Sequence, residues 1–125
     1  MGQEPSDIAR EVVSAIGEWR GARIVSEEDL QRRVWEHLQA GRLNVYRERA
    51  TGPSDRPDFL VGLRLEVAVE CKVKGSALDL ERQVRRYART PSIAAVVVVT
   101  TRRRHTLPRT IEGKPVHVVC WSVGL

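Results

Sequence analysis

At 125 residues, 42% hydrophobic and 30% charged, the chain is sized for a single domain over 1–125, and no apolar run approaches the ~20 residues that a membrane span requires. The opening MGQEPSDIAR lacks the apolar stretch of a secretory leader, so a cytoplasmic protein is expected. The net charge of +5 is uneven: residues 1–81 hold 15 acids and 12 bases, whereas residues 82–125 hold one acid and nine bases.

Between Arg82 and Ile111 stand eight arginines and no Asp or Glu. This pattern fits a basic face for a polyanion, or simply a solvated arginine-rich surface. Cys71 and Cys120 sit singly in apolar runs, which predicts buried free thiols and argues against zinc.

In chain order, Ile8, Val12, Ala15, Ile16 and Trp19 recur at helical spacing, predicting an extra amino-terminal helix over about 7–19 that ends near Gly21. Its apolar face suits packing on the core or a homodimer interface. A second helix is predicted over 27–39, with Ser26 and Asp29 as a capping pair, an apolar stripe of Leu30, Val34 and Leu38, and Gly41 at its end. Residues 43–49 alternate as a strand does, and the Gly- and Pro-rich ATGPSDRP follows as a loop. DFLVG is a short strand, and VGLR is a turn into an antiparallel partner over 63–73.

Ser76 and Asp79 cap a third helix that runs to about Arg89, with Leu80, Val84 and Tyr87 facing inward. IAAVVVVTT is uniformly apolar, as in a strand buried on both faces. A basic connection over 102–115 leads to a last strand over 116–121. The order is α-α-β-β-β-α-β-β, an α/β protein with a mixed β-sheet flanked by helices.

The chemistry concentrates in LRLEVAVECKVKGS. Strand alternation puts Leu65, Val67, Val69, Cys71 and Val73 on a core face, and Glu66, Ala68, Glu70, Lys72 and Lys74 on the other. Glu70 and Lys72 then read either as an ion pair on an exposed face or as part of a site. Pairing through the turn brings Asp58 close to Glu70. Two carboxylates at a strand end are hard oxygen donors suited to Mg²⁺ or Mn²⁺. A lysine on the same face adds what phosphodiester hydrolysis needs near the attacking oxygen.

Pro57-Asp58, eleven intervening residues and Glu70-Cys71-Lys72 resemble the PD-(D/E)XK nuclease superfamily, which includes restriction endonucleases, Holliday junction resolvases and RecB-type exonucleases. The resemblance spans residues 26–121 and implies a restriction-endonuclease-like fold and a metal-dependent nuclease, in repair, recombination, phage or defence. It implies that Asp58, Glu70 and the Cys71 backbone carbonyl bind the metal and that Lys72 orients and activates water. It also implies a carboxylate on the first core helix. Glu27 lies about 20° from the centre of the Leu30/Val34/Leu38 stripe and Glu28 about 120°, so Glu27 is the residue that can turn inward. Both could instead be first-turn acids favoured by the helix dipole.

Gln83 and Tyr87 match the Gln-x-x-x-Tyr pattern of RecB-like members and share one helix face, toward the site or the DNA. In this reading Gln83 supports the site, while Tyr87, Arg85, Arg86, Arg102 and Arg103 contact nucleic acid, with Arg89 and Arg104 also meeting phosphates. The expected partner is DNA, although the residues do not separate it from RNA. No Gly-rich phosphate loop occurs, so any helicase or ATPase would be a separate partner. The alternatives are a dimeric Holliday junction resolvase and a non-catalytic nucleic-acid-binding module that keeps the fold. His37 and His105 have no partner at metal-ligand spacing, and His117 reads as a structural histidine.

Overall fold

The computed structural model describes residues 4–18, 23–51 and 55–121. The elements are α1 (Pro5–Ile16), α2 (Glu27–Ala40), β1 (Val45–Arg47), β2 (Phe59–Val61), β3 (Glu66–Lys72), α3 (Ala77–Arg89), β4 (Ile93–Thr100), β5 (Thr110–Ile111) and β6 (Lys114–Cys120). They form an α/β structure in which three helices flank one six-stranded mixed sheet of order β1-β2-β3-β4-β6-β5. β1, β2 and β3 pair antiparallel; β3 with β4 and β4 with β6 pair parallel; β5 and β6 close as an antiparallel hairpin.

Two cores sandwich the sheet. On one face Ile8, Val12 and Ile16 of α1 and Leu30, Val34 and Leu38 of α2 pack on Val67, Val69, Cys71, Val97 and Val99. On the other, Leu80, Val84 and Tyr87 of α3 pack on Leu60, Ala68, Val96 and Val98. β4 is buried at every position, as its uniform apolarity requires. Ser26 and Ser76 cap α2 and α3 by accepting from the backbone N–H of Asp29 and Asp79, each at 3.1 Å.

The turn from β2 to β3 depends on Gly62. Its φ is +120°, and a Cβ there would lie 2.2 Å from the Leu65 carbonyl oxygen. β3 is central and buried on both faces: Ala68 is 0% and Glu70 6% exposed. The exposed charged face considered for this strand is therefore absent, because α3 covers it.

Other expectations change as well. The basic 102–115 connection contains β5, closed onto β6 by Glu112 and Gly113 at φ 53° and 75°, the twist of a tight two-residue hairpin. The described part of the apolar stripe of α1, Ile8, Val12 and Ile16, is buried in its own chain. Trp19 and Gly21 lie outside the described residues. Cys120 is exposed, not buried, because its side chain leaves the sheet on the uncovered side of β6. No helix among the described residues is long and apolar enough to cross a membrane.

Candidate functional site

β2 begins at Phe59, opposite Val69, whereas β3 continues beside β4 to Lys72. Among the described residues the far end of β3 thus has an edge with no strand beside it, and its outward N–H groups need acceptors. Side-chain carboxylates provide them. Cys71 N–H donates to Asp58 Oδ2 at 2.7 Å, and Val73 N–H donates to Glu27 Oε1 at 3.1 Å. The N–H and C=O of one strand residue share an edge, so the Cys71 carbonyl also faces the side where Asp58 stands. Asp58 Oδ1 accepts from Gln31 Nε2 at 3.0 Å. Glu27 is half-buried and Glu28 exposed, the orientation expected from the helix wheel.

On the α3 face, Glu70 and Lys72 point the same way. Glu70 Oε1 accepts from the Tyr87 hydroxyl at 2.8 Å and Oε2 from Gln83 Nε2 at 3.1 Å. Gln83 Oε1 accepts from Lys72 Nζ at 3.2 Å. Gln83 Nε2 also reaches the Tyr87 hydroxyl oxygen, at 3.0 Å. No direct Glu70–Lys72 ion pair occurs among the described residues; the amide of Gln83 joins them instead.

Burial and mutual repulsion shape the carboxylates. Desolvation, then the negative charge of Asp58, push the Glu70 carboxyl up to about 8, against the opposing pull of Tyr87 and Lys72. Desolvation raises Asp58 to about 6, with the charge of Glu27 adding to it and the Cys71 N–H opposing. Desolvation, followed by the neighbouring carboxylates, pushes the Cys71 thiol well up, and the thiol faces the opposite core. Asp58 and Glu70 therefore each hold a proton more readily than an exposed carboxyl does.

The structure gathers Glu27, Asp58, Glu70, Lys72 and Gln83 around the end of β3. Tyr87 needs correction as a nucleic-acid contact: it is 1% exposed and spends its hydroxyl on Glu70. Arg85 and Arg86 are accessible but committed. Arg85 pairs with Glu81 at 3.1 Å and Glu112 at 3.4 Å, and Arg86 pairs with Asp55 at 3.0 Å. Arg89 also pairs with Glu112, at 3.0 Å. Arg102 and Arg103 are exposed, and Arg102 Nε donates to the Val73 carbonyl at 3.0 Å. His105 is buried, bound to Thr100 Oγ1 at 2.6 Å and the Gly75 carbonyl at 2.9 Å, a structural pin.

Gln31 escaped the sequence reading. It lies four residues after Glu27, on the same face of α2, and that spacing was the available signal. Among the described residues no group of three or more His, Cys, Asp or Glu side chains is arranged to hold a metal ion. Comparison with protein-family models, curated proteins and solved structures finds no match to this chain.

Proposed function

We propose that this chain is a divalent-metal-dependent nuclease of restriction-endonuclease-like fold that hydrolyses phosphodiester bonds of DNA. The carrying observation is the meeting of Asp58, Glu70 and Lys72 at the end of β3, with Glu70 nearly buried and, among the described residues, joined to Lys72 through Gln83 and not by a direct ion pair. The strand order supports the reading: three antiparallel strands, a helix, then a parallel strand beside the third.

The donor set suits Mg²⁺ or Mn²⁺, because Asp58 and Glu70 are hard carboxylates whose ordinary ionisation is suppressed by burial, with the charge of Glu27 adding to it at Asp58 and that of Asp58 at Glu70. Asp58, Glu70 and the Cys71 carbonyl would hold the ion, with Glu27 beside them. A bound divalent cation neutralises phosphate charge and lowers the barrier to attack by water. Lys72 orients the attacking water from the same strand face. Gln83 is a positioning residue: its amide fixes the Lys72 amine and the Glu70 carboxylate together.

A non-catalytic nucleic-acid-binding module is favoured by a different observation. Asp58 and Glu27 each satisfy a backbone N–H of the β3 edge, and Glu70 accepts from both Tyr87 and Gln83. A purely structural polar network would look like this too. Calorimetric titration with Mn²⁺ separates the two. The nuclease reading predicts saturable binding at pH 7 that releases about one proton and is abolished by Glu70→Gln. Absence of binding by the wild-type chain favours the module.

A further inference from the structure

We infer that the arginine-lined cavity between the start of α1, the 102–109 loop and β6 holds the phosphate backbone of a nucleic-acid strand running on from the carboxylate site. The inference rests on the nucleic-acid reading above and moves its main contact surface away from α3. Three arginines of α3 are paired with acids of other turns or segments: Arg85 with Glu81 and Glu112, Arg86 with Asp55, and Arg89 with Glu112. A second concentration of arginines lies elsewhere, around the cavity.

The cavity has a volume of about 700 Å³ and is lined by Arg10, Arg102, Arg103, Arg109 and His117, with no Asp or Glu among the described residues of its wall. Arg10 pairs with Asp7 at 3.7 Å on the exposed surface of α1, where solvent screens the pair. β5 pairs only with Lys114 and Pro115, so among the described residues the Val118–Cys120 stretch of β6 has no strand on its outer side. Backbone donors along such an edge add to the guanidinium groups as phosphate ligands.

The cavity also connects to the carboxylates. Arg102 Nε donates to the Val73 carbonyl, and Val73 N–H donates to Glu27. His105 ties the same loop to the Gly75 carbonyl. The loop is thereby fastened to the end of β3, where Glu70 and Lys72 stand. A strand with one phosphate at the carboxylates would continue over Arg102 toward Arg109 and Arg10. Contacts of this kind set position and salt-dependent affinity and carry no base sequence.

The test measures fluorescence anisotropy of labelled single-stranded and duplex DNA in EDTA, across a salt series, so that cleavage plays no part. Arg10→Ala with Arg109→Ala should weaken binding about tenfold and reduce the slope of log affinity against log salt by about 2. Both side chains are exposed, so the melting temperature should hold, and Arg10→Lys with Arg109→Lys should restore most of the affinity. Arg42→Ala with Arg64→Ala, in the cavity beside the β2–β3 turn, is the control and should change nothing.

Unchanged affinity and slope in the alanine pair would overturn the inference. So would displacement of the strand by inorganic triphosphate at equal phosphate concentration, which would mark a free-phosphate site. Arginine-dependent binding without any cleavage leaves this inference standing and removes the nuclease reading. Cleavage that ignores both arginines does the reverse.

Discussion

Lys72 and Glu70 stand two residues apart on one face of β3, yet Lys72 does not pair with Glu70; its amine donates to Gln83 Oε1 at 3.2 Å, and Gln83 Nε2 donates to Glu70 Oε2 at 3.1 Å. A direct pair would cancel both charges. The amide spacer keeps the acid and the amine separately available while holding each in place.

Gln83→Ala should therefore cost more in rate than in stability. The lost hydrogen bonds are worth about 1 kcal/mol each in folding. Loosening Lys72 and Glu70 should lower kcat about 10- to 100-fold with KM little changed. Steady-state cleavage kinetics beside thermal melts check this. A fall in KM-linked binding alone, with kcat intact, would assign Gln83 to substrate contact instead.

The carboxylates predict an unusual pH dependence of stability in the metal-free protein. An acid whose folded-state pKa is raised holds its proton more tightly when folded than when unfolded. Its contribution to stability is full below the unfolded value near 4 and is lost as pH rises through the folded value. With Asp58 near 6 and Glu70 near 8, that loss spans roughly pH 4 to 8. Melts in EDTA should show the melting temperature falling over this range, and Glu70→Gln should flatten the upper part of it.

Tyr87→Phe tests the buried hydroxyl. Its hydrogen bond is one of the forces holding the Glu70 pKa down, so its loss should raise that pKa further. Destabilisation of about 1–3 kcal/mol is expected at pH 9, where Glu70 is charged and loses a donor. Little is expected at pH 5, where Glu70 is protonated. Chemical denaturation at the two pH values gives the difference directly.

How far these features were legible in the sequence differs by residue. The alternation of β3 was enough to put Cys71 in one core and Glu70 with Lys72 on the other face. The helix wheel was enough to turn Glu27 inward and leave Glu28 out. The burial of Glu70 was not legible, because it depends on α3 closing over the sheet, a contact between distant segments. Tyr87 faces inward as its spacing from Leu80 and Val84 predicts, but its 1% exposure, which rules out the nucleic-acid contact, was not legible for the same reason. β5 is only two residues long and carries no periodicity; the Glu112-Gly113 turn was its one local sign. The pairing of Arg85 and Arg89 with Glu112 joins positions 27 and 23 residues apart, which no local pattern reveals.

Gly62→Ala probes the turn that sets the register of β2 on β3, and so the nearness of Asp58 to Glu70. With a backbone oxygen 2.2 Å from the new Cβ and φ at +120°, the chain must shift. A cost of about 2 kcal/mol or more is expected, read as a lower denaturation midpoint at unchanged slope.

The central claim is metal-dependent phosphodiester hydrolysis, and cleavage itself tests it most directly. Single-stranded, duplex and four-way-junction DNA should each be incubated with wild type and with Lys72→Ala, in Mg²⁺, Mn²⁺ or EDTA. Wild type should cut at least one of these with a divalent metal and not in EDTA, and Lys72→Ala should lose at least two orders of magnitude in rate. Equal inertness of both proteins on every substrate with both metals would contradict it.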